Sequence, residues 1–277
     1  NIEFSDEYLS NFTSGLATKN LFQEQSTKFD EGIILICFYN NFDPLVKKWM
    51  EHYLSIGIKN FVLVDNNSTD NSTSLLQEYQ NKANISFWKI HEKYNCFKMC
   101  GWKQQILEFY GINKKYLIVD SDELFIKSLM LDVYPKKEIF VGKLEEFNFV
   151  DKNTYKMSNS NSYGQRFYGG PRSRIFGINP SLQKISLITY TGTEVLANDH
   201  FYYPWNINQK AIYCSYLLHY KFLPEDKEKY LLFVKDGRHW NNSHEYKVYN
   251  SVLMQKKNIT FYDKNISVSI DQIDFKF

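Results

Sequence analysis

Residues 116–125 read Tyr-Leu-Ile-Val-Asp-Ser-Asp-Glu-Leu-Phe. Four apolar residues lead into two aspartates, Asp120 and Asp122, which indicates a buried strand with acidic side chains at its end. In an extended chain, side chains at positions i and i+2 point to the same side. The carboxylates of Asp120 and Asp122 are therefore expected to converge where this strand leaves its sheet.

Two converging carboxylates form a candidate cation site. Like charges at close range are costly unless a cation neutralises them. Oxygen ligands suit a hard divalent ion such as Mg²⁺ or Mn²⁺, and such an ion in turn suits a diphosphate. The alternative is a solvated turn after a strand, which is the commoner meaning of an isolated Asp-x-Asp pattern.

The chain around this motif alternates strands and helices. Residues 33–38 form a continuous apolar run, as expected of a strand buried on both faces. The pair Asp43-Pro44 predicts the start of a helix, and Gly57 predicts its end. Further strands are predicted over 61–64, 85–90 and 116–119, and further helices to about residue 80 and over 99–110. This order predicts an α/β fold with a parallel sheet and right-handed crossovers.

Polar side chains follow the ends of these strands. Asn40, Asp65 and the Asp120/Asp122 pair each lie just past an apolar run. In parallel sheets, ligands bind beyond the carboxyl ends of the strands. We therefore expect these residues to line one crevice, with Lys103 on a neighbouring helix either solvated or paired with a phosphate.

The pattern is less regular after residue 130. Strands are predicted over 139–144, 185–190 and 217–221, a polar loop over 152–164, a turn over 169–174 and a polar helical stretch around 236–246. The turn carries Arg172 and Arg174, whose guanidinium groups suit a diphosphate or an acidic acceptor. His219 lies within the last apolar strand.

Composition excludes several classes of protein. Of 277 residues, 43% are hydrophobic and 17% aromatic, enough for a sizeable core, and the net charge of +2 argues against a nucleic-acid partner. No apolar run reaches transmembrane length, and no signal-peptide pattern opens the chain. The cysteines lack C-x-x-C spacing, which favours free thiols in a reducing, cytoplasmic compartment; they are Cys37, Cys96, Cys100 and Cys214.

The predicted organisation is one domain with a short lead-in. Residues 1–28 are polar and weakly patterned and are expected to be a lead-in or linker, while 29–277 form the domain. Its nucleotide-binding half spans about 32–127 and its acceptor half about 128–250. Because the first residue is not Met, we expect the domain to belong to a larger multidomain chain.

Over roughly residues 32–250 the chain resembles the glycosyltransferase family 2-like group with the GT-A fold. The motifs that carry the resemblance are residues 37–41, Val-Asp-Asn-Asn-Ser-Thr-Asp at 64–70, Ile-Val-Asp-Ser-Asp-Glu-Leu-Phe at 118–125, Gly-Gly-Pro-Arg-Ser-Arg-Ile-Phe at 169–176 and Leu-His-Tyr-Lys at 218–221. It implies a Rossmann-like, mostly parallel sheet flanked by helices, with a mixed region on the acceptor side. It also implies transfer of a sugar, with inversion, from a nucleotide-sugar donor (a UDP-sugar above all) to a hydroxyl of a glycan or glycolipid acceptor. The expected setting is surface polysaccharide or lipooligosaccharide synthesis, with peripheral association at the inner membrane face.

The resemblance also implies roles for individual residues. Asp65 accepts a hydrogen bond from the base or caps its turn, and Asn40 and Asn67 lie beside the nucleotide, although Asn67 is also a natural turn former. Asp120 faces the ribose or binds the metal through water, and Asp122 ligates Mn²⁺ or Mg²⁺ directly. His219 is either the third metal ligand or a structural histidine, and the diphosphate falls to a set of cations, Lys103, Arg172 and Arg174.

An inverting transfer needs a base for the acceptor hydroxyl. Glu194 and Asp199 follow the strand predicted on the acceptor side and are the first candidates, with Glu146 the third. The sequence leaves the choice among them open.

Two other classes remain open. A sugar-nucleotidyltransferase would favour a Gly-rich loop after the first strand, but residues 38–42 read Phe-Tyr-Asn-Asn-Phe. A catalytically inactive carbohydrate-binding domain is the non-enzymatic alternative, and the intact Asp-x-Asp motif argues against it.

Overall fold

A computed structural model describes residues 5–17, 21–25, 27, 29, 31–126, 140–146, 148–152, 154–158, 165–223, 226–256 and 259–272. The helices are α1 (Asp6–Leu16), α2 (Asp43–Ser55), α3 (Ser72–Gln77), α4 (Cys96–Tyr110), α5 (Gly170–Phe176), α6 (Asn206–Lys210), α7 (Asp226–Asp236) and α8 (Trp240–Gln255). The strands are β1 (Leu21–Gln25), β2 (Ile33–Tyr39), β3 (Asn60–Asp65), β4 (Asn84–Ile90), β5 (Lys114–Ile118), β6 (Glu123–Phe125), β7 (Phe140–Glu146), β8 (Phe149–Asp151), β9 (Tyr155–Ser158), β10 (Gln165–Tyr168), β11 (Gln183–Tyr190), β12 (Val195–Leu196), β13 (Tyr202–Tyr203), β14 (Ile212–His219) and β15 (Ser267–Ser269). In the part of the chain described, no helix combines the length and the apolar character needed to cross a membrane.

The main sheet combines a parallel half with a mixed half. Within the described ranges it contains nine strands in the order β1-β4-β3-β2-β5-β11-β7-β14-β6. Strands β4, β3, β2 and β5 pair in parallel, whereas β11 runs antiparallel to both β5 and β7. The predicted α/β architecture, a Rossmann-like half followed by a mixed half, is confirmed.

Helices cover both faces of the parallel half because its strands are apolar on both faces. In β2, Leu35 and Cys37 lie in the core layer that contains Trp49 of α2. Ile34 and Ile36 point the other way, into the layer that contains Trp102 of α4. This period-2 division of a continuous apolar run buries the strand completely.

The N-terminal segment differs from its prediction. The sequence predicts a lead-in or linker over 1–28, whereas the described part forms α1 and β1. Tyr8 and Phe12 of α1 are buried against the layer that contains α4, and β1 adds an antiparallel edge strand to β4. A few well-spaced apolar side chains are enough to dock this otherwise polar helix, which is why composition alone missed it.

Two other segments also differ. The predicted turn at 169–174 is the start of α5, which has Pro171 in its first turn and ends at Gly177 in the left-handed conformation. Part of the predicted loop at 152–164 forms β9, which pairs with β10, while 153 and 159–164 lie outside the described residues. The strand predicted over 139–144 is confirmed as β7, apart from residue 139, which is not described.

Helices α1 and α4 cross at two glycines with almost no free space. A Cβ built on Gly101 would lie 2.4 Å from the carbonyl oxygen of Phe12, and one built on Gly15 would lie 2.4 Å from the carbonyl oxygen of Lys98. Both contacts are with backbone atoms, which cannot move aside as a flexible side chain can. The two glycines therefore set how closely α1 approaches α4.

Gly101→Ala is expected to destabilise the protein by about 1–3 kcal/mol, because the added methyl overpacks the helix crossing. Helix propensity alone predicts the opposite sign, a gain of about 0.5–1 kcal/mol. Urea unfolding of Gly101→Ala and of an exposed control on α1, Ser14→Ala, measures the difference. A more stable Gly101→Ala protein would show that the close approach is not required.

Candidate active site

The carboxyl ends of three parallel strands meet at one edge of the sheet. Asn40 follows β2, Asp65 ends β3, and Asp120 lies two residues beyond the end of β5. Tyr39 pairs with Asp65, and Ile36 pairs with Ile118, so the three strand ends lie side by side. The predicted convergence of polar residues at this edge is therefore present.

Asn40 and Asn67 connect the loops at this edge. The side-chain amide of Asn40 donates to the carbonyl oxygens of Asn66 and Asn67, at 2.7 and 3.1 Å. Asn67 adopts a φ of 60°, its amide donates to the carbonyl of Glu92 at 3.3 Å, and its Oδ1 lies 3.2 Å from Nδ1 of His91. Both asparagines thus hold loops together, and Asn67 has the left-handed turn conformation expected of this residue type.

Asp65 is buried, with only 4% of its surface exposed. Its Oδ1 accepts a hydrogen bond from the backbone N–H of Ser68 at 2.8 Å, which closes the turn after β3. Its Oδ2 lies 3.9 Å from Nζ of Lys89. The turn-capping role is therefore present, and it uses one of the two carboxylate oxygens.

Asp120 lies between two buried lysines. Its Oδ2 is 2.9 Å from Nζ of Lys184, and its Oδ1 is 3.6 Å from Nζ of Lys103. Both lysine side chains are 1% exposed, whereas that of Asp120 is 43% exposed. Burial opposes ionisation of Asp120, but the charges of Lys184 and Lys103 hold the pKa of this carboxyl well below its usual range. The ammonium groups of these two buried lysines therefore balance the negative charge of Asp120.

The two lysines each bridge a second carboxylate. Lys103 of α4 donates to Oδ1 of Asp199 at 3.1 Å, and Lys184 of β11 donates to Oε2 of Glu123 at 2.8 Å. Burial lowers the pKa of each lysine, but the neighbouring carboxylates outweigh this and raise it. A buried ammonium is tolerated only with such partners. Lys103, expected to be either solvated or paired with a phosphate, is instead buried and paired with carboxylates.

Glu123 fixes the conformation of the Asp-x-Asp loop. Its Oε2 accepts from the backbone N–H of Asp120 at 2.9 Å, while Trp49 donates to the Asp120 carbonyl at 3.3 Å and Tyr53 to the Glu123 carbonyl at 2.9 Å. Burial, followed by the charge of Asp120, raises the pKa of Glu123 to about 7. Sequence reasoning assigned no role to Glu123 or Lys184, although a lysine at the start of an apolar strand was a usable signal.

Asp122 pairs with His219. Nε2 of His219 lies 3.2 Å from Oδ2 of Asp122, and β14 pairs with β6 so that His219 is opposite Glu123. Burial lowers the pKa of His219 despite Asp122, which favours a neutral imidazole. Burial would raise the pKa of Asp122, but His219 and then Lys221 lower it to about 2. His219 is therefore paired with a carboxylate and is not an isolated histidine in an apolar core.

The predicted three-residue metal set is only partly assembled. Adjacent ligands at about 2.1 Å from an octahedral ion lie about 3 Å apart, so the carboxylate of Asp122 and the neutral imidazole of His219 fit two positions on one ion. Asp120 is instead directed at the lysines. Across the described ranges, no group of three or more His, Cys, Asp or Glu side chains could hold a metal ion.

Helix α5 places Arg172 and Arg174 in ion pairs. Arg172, 4% exposed, donates to Glu245 of α8 at 2.7 Å and to the Tyr249 hydroxyl at 3.3 Å. Arg174 donates to Asp151 at 2.9 Å and also to the carbonyl of Phe261. The charge of Arg172 bears on His219, whereas the partners of Arg174 lie on β8 and the C-terminal segment.

The three candidate bases lie in different places. Asp199 reaches Asp120 through their shared partner Lys103. Glu194 accepts from the backbone N–H and the hydroxyl of Thr191, both at 2.7 Å, and so closes a turn after β11. Because β11 is antiparallel to β5, with Tyr190 opposite Lys114, Glu194 lies at the other edge of the sheet and is not brought to Asp120.

Glu146 is the last residue of β7, and its backbone pairs with His219 of β14. Its side chain lies outside the described part of the structure. The parallel register nevertheless places the end of β7 beside the Asp122–His219 pair.

No family model matches the chain, and no curated protein matches it. Among solved structures, the chain is similar to residues 1–349 of S. aureus TarS in complex with UDP-GlcNAc, at 15% identity over 80% of this chain and 71% of that one, with a TM-score of 0.42. It is similar to HddC from Yersinia pseudotuberculosis at 11% identity over 71% of this chain and 96% of that one, with a TM-score of 0.43. The mannosyltransferase PcManGT from Pyrobaculum calidifontis, in complex with GDP-Man and Mn²⁺, is 12% identical over 50% of this chain and 42% of that one, with a TM-score of 0.32. Likeness of this extent supports no conclusion about the activity of this chain.

Proposed function

We propose that this chain is a glycosyltransferase that moves a sugar from a nucleotide-sugar donor to a hydroxyl of a glycan or glycolipid acceptor. The observation that carries the proposal is the Asp122–His219 pair, 3.2 Å apart, with Asp122 in the same loop as Asp120. Ionised carboxylates with a neutral imidazole beside the carboxyl ends of parallel strands suit a metal-bound diphosphate. UDP-sugars are the first donors to test.

Asp122 and His219 would hold the divalent ion, Mn²⁺ or Mg²⁺. Such an ion neutralises the charge that develops on the departing diphosphate. The carboxylate of Asp120 is 43% exposed, and the lysines behind it keep it ionised and fixed in place. It is therefore suited to accept hydrogen bonds from donor hydroxyl groups. Asp65 retains Oδ2 for the base.

Asp199 is the proposed base for the acceptor hydroxyl in an inverting transfer. Its side chain is 29% exposed, so it can reach a substrate, and Lys103 anchors one of its oxygens. A general base must lie within hydrogen-bond distance of the proton it removes. Glu194 is held in a turn at the other edge of the sheet, away from Asp120, and for this reason Asp199 is the base that we propose.

The proposed setting is the synthesis of a surface polysaccharide or lipooligosaccharide. The domain is expected to act in the cytoplasm, where nucleotide sugars are made, and at the inner face of the membrane for a lipid-linked acceptor. Export of the domain with a disulfide among its cysteines would contradict this placement.

Nucleotide-sugar turnover tests the proposed function. The protein is incubated with UDP-, GDP- and dTDP-sugars, with Mn²⁺ or with EDTA, and the products are separated by chromatography. Release of a nucleoside diphosphate that requires Mn²⁺ is the expected result. Formation of a sugar phosphate and a nucleoside triphosphate with pyrophosphate would identify a nucleotidyltransferase instead, and no turnover with any donor would favour a binding domain.

Asp65→Asn should weaken nucleoside diphosphate binding by about 1–3 kcal/mol, the usual effect of losing a buried polar partner. Asparagine keeps an oxygen for the Ser68 N–H but offers an amide donor where the base needs an acceptor. Calorimetric titration with UDP measures the change, and a melting curve checks that the turn is intact. An unchanged dissociation constant would leave Asp65 with its turn-capping role alone.

His219→Ala should raise the Mn²⁺ concentration needed for half-maximal activity more than it lowers the melting temperature. The imidazole would supply one of the two protein ligands of the metal, and alanine supplies none. The packing of residue 219 on β14 is lost only in part, because alanine keeps the β-carbon. A metal titration and a melting curve on this one variant separate the two roles. A large drop in melting temperature with an unaltered metal requirement would make His219 a structural residue.

A further inference from the structure

The cations around the Asp122–His219 pair differ in how they are engaged. The charges that bear on His219 include those of Lys221 and Arg172. Arg172 is committed to Glu245 through a 2.7 Å ion pair. Lys221 follows β14, two residues beyond His219. The backbone N–H of Tyr220, which lies between them, donates to the carbonyl oxygen of Asp122 at 2.7 Å, so this part of the chain lies against Asp122.

The other cations expected at the diphosphate already have carboxylate partners. Lys103 is paired with Asp199 and Asp120, and Arg174 with Asp151. Lys184, which the sequence did not single out, is paired with Asp120 and Glu123. In a tight ion pair the carboxylate largely cancels the field of the cation, so the cation attracts a phosphate only weakly unless the pair breaks.

Lys221 has no carboxylate within ion-pair distance among the described residues. Its ammonium lies 5.5 Å from the centroid of the Tyr246 ring, a cation–π contact that fixes the direction of the side chain. The nearby Glu245 is held by Arg172. Lys221 is thus a positioned positive charge beside the pair that would hold the metal.

We propose that Lys221 binds the diphosphate of the nucleotide donor and helps to stabilise it as the leaving group. This inference rests on the proposed function. A diphosphate carries more negative charge than one divalent ion cancels, and an ammonium is an effective partner for phosphate oxygens through charge-assisted hydrogen bonds. The placement of Lys221 next to Asp122 and His219 puts it at the part of the crevice where the metal-bound phosphates would lie.

Paired titrations with a nucleoside diphosphate and its nucleoside test this inference. Isothermal titration calorimetry compares UDP with uridine, and GDP with guanosine, on the wild type, Lys221→Met and Lys221→Arg. Lys247→Met serves as the control, because it removes the same charge from an exposed position next to Tyr246. We expect Lys221→Met to weaken diphosphate binding about tenfold to a hundredfold and to leave nucleoside binding unchanged. Lys221→Arg should retain most of the affinity, and the control should behave as the wild type.

The outcomes separate this inference from the proposed function. If the wild type binds none of the nucleoside diphosphates, both fall. If it binds one, and Lys221→Met weakens diphosphate and nucleoside equally or changes neither, only the role of Lys221 is overturned.

A measurement on the wild type covers the case in which Lys221→Met does not fold. Lysine acetylation followed by mass spectrometry should show that UDP with Mn²⁺ protects Lys221 and that uridine does not. Equal labelling of Lys221 in both conditions would overturn the assignment.

Discussion

Asp122→Ala should lower the rate of sugar transfer by about a hundredfold or more while the protein stays folded. Asp122 would supply the carboxylate for the divalent ion, and its substitution leaves His219 as the one protein ligand proposed for that ion. Its partner His219 is neutral because burial lowers the pKa of the imidazole, so removal of Asp122 leaves no unpaired buried charge. The loss should therefore appear in the rate and not in the melting temperature.

Initial rates at saturating donor, with Mn²⁺ varied, measure this effect. Ser121→Ala is the matched control, since it changes the residue between the two aspartates, and it should keep nearly full activity. If Asp122→Ala transfers sugar at a rate within a few-fold of the wild type, this carboxylate has no part in the proposed mechanism.

The parallel half of the fold could be predicted because its signals are local. The run from Ile33 to Phe38 is apolar on both faces and so must lie inside a sheet covered by helices on both sides. Helix start and stop signals, such as Asp43-Pro44, then fix the alternation. When strands and helices alternate, right-handed crossovers make the strands parallel, so their carboxyl ends lie at the same edge of the sheet. Asn40, Asp65 and Asp120 follow these strand ends and are brought together there.

The partners of these residues could not be predicted, because they depend on pairings distant in sequence. Strand β11 enters the sheet antiparallel to β5, with Leu187 opposite Leu117. The start of β11 therefore lies at the carboxyl end of β5, where Nζ of Lys184 is 2.9 Å from Oδ2 of Asp120. The same reversal carries Glu194 to the far edge of the sheet. Nothing local in the sequence shows the direction of β11, so the sequence does not point to Lys184 and leaves Glu194 as a candidate base.

The partners of the predicted phosphate-binding cations also depend on contacts that are distant in sequence. Arg172 and Arg174 lie two residues apart, but α5 is helical there, and the two side chains leave it in different directions toward Glu245 and Asp151. Sequence reasoning identified the right residue types near the crevice and could not show which of them already had carboxylate partners.

Lys184→Met should lower the free energy of unfolding by about 3–5 kcal/mol, because removing one member of a buried ion pair leaves its partner without compensation. The ammonium of Lys184 lies 2.8 Å from Glu123 and 2.9 Å from Asp120. Asp120 is 43% exposed and can regain water, whereas Glu123 is 2% exposed and cannot. The cost therefore falls mainly on Glu123, whose carboxylate also holds the Asp-x-Asp loop.

The double variant Lys184→Met/Glu123→Gln decides whether this account is right. Glutamine is neutral and keeps an oxygen for the backbone N–H of Asp120, so the double variant should recover much of the stability lost in Lys184→Met. Lys114→Met, at the exposed start of β5, should change the unfolding free energy by less than about 0.5 kcal/mol. Chemical denaturation at one pH is measured on five proteins: the wild type, Lys184→Met, Glu123→Gln, the double variant and the Lys114→Met control. It gives all four differences from the wild type. A double variant as unstable as the sum of its single variants would mean that Lys184 and Glu123 are not coupled, and that the lysine is held in the fold by packing of its aliphatic chain instead.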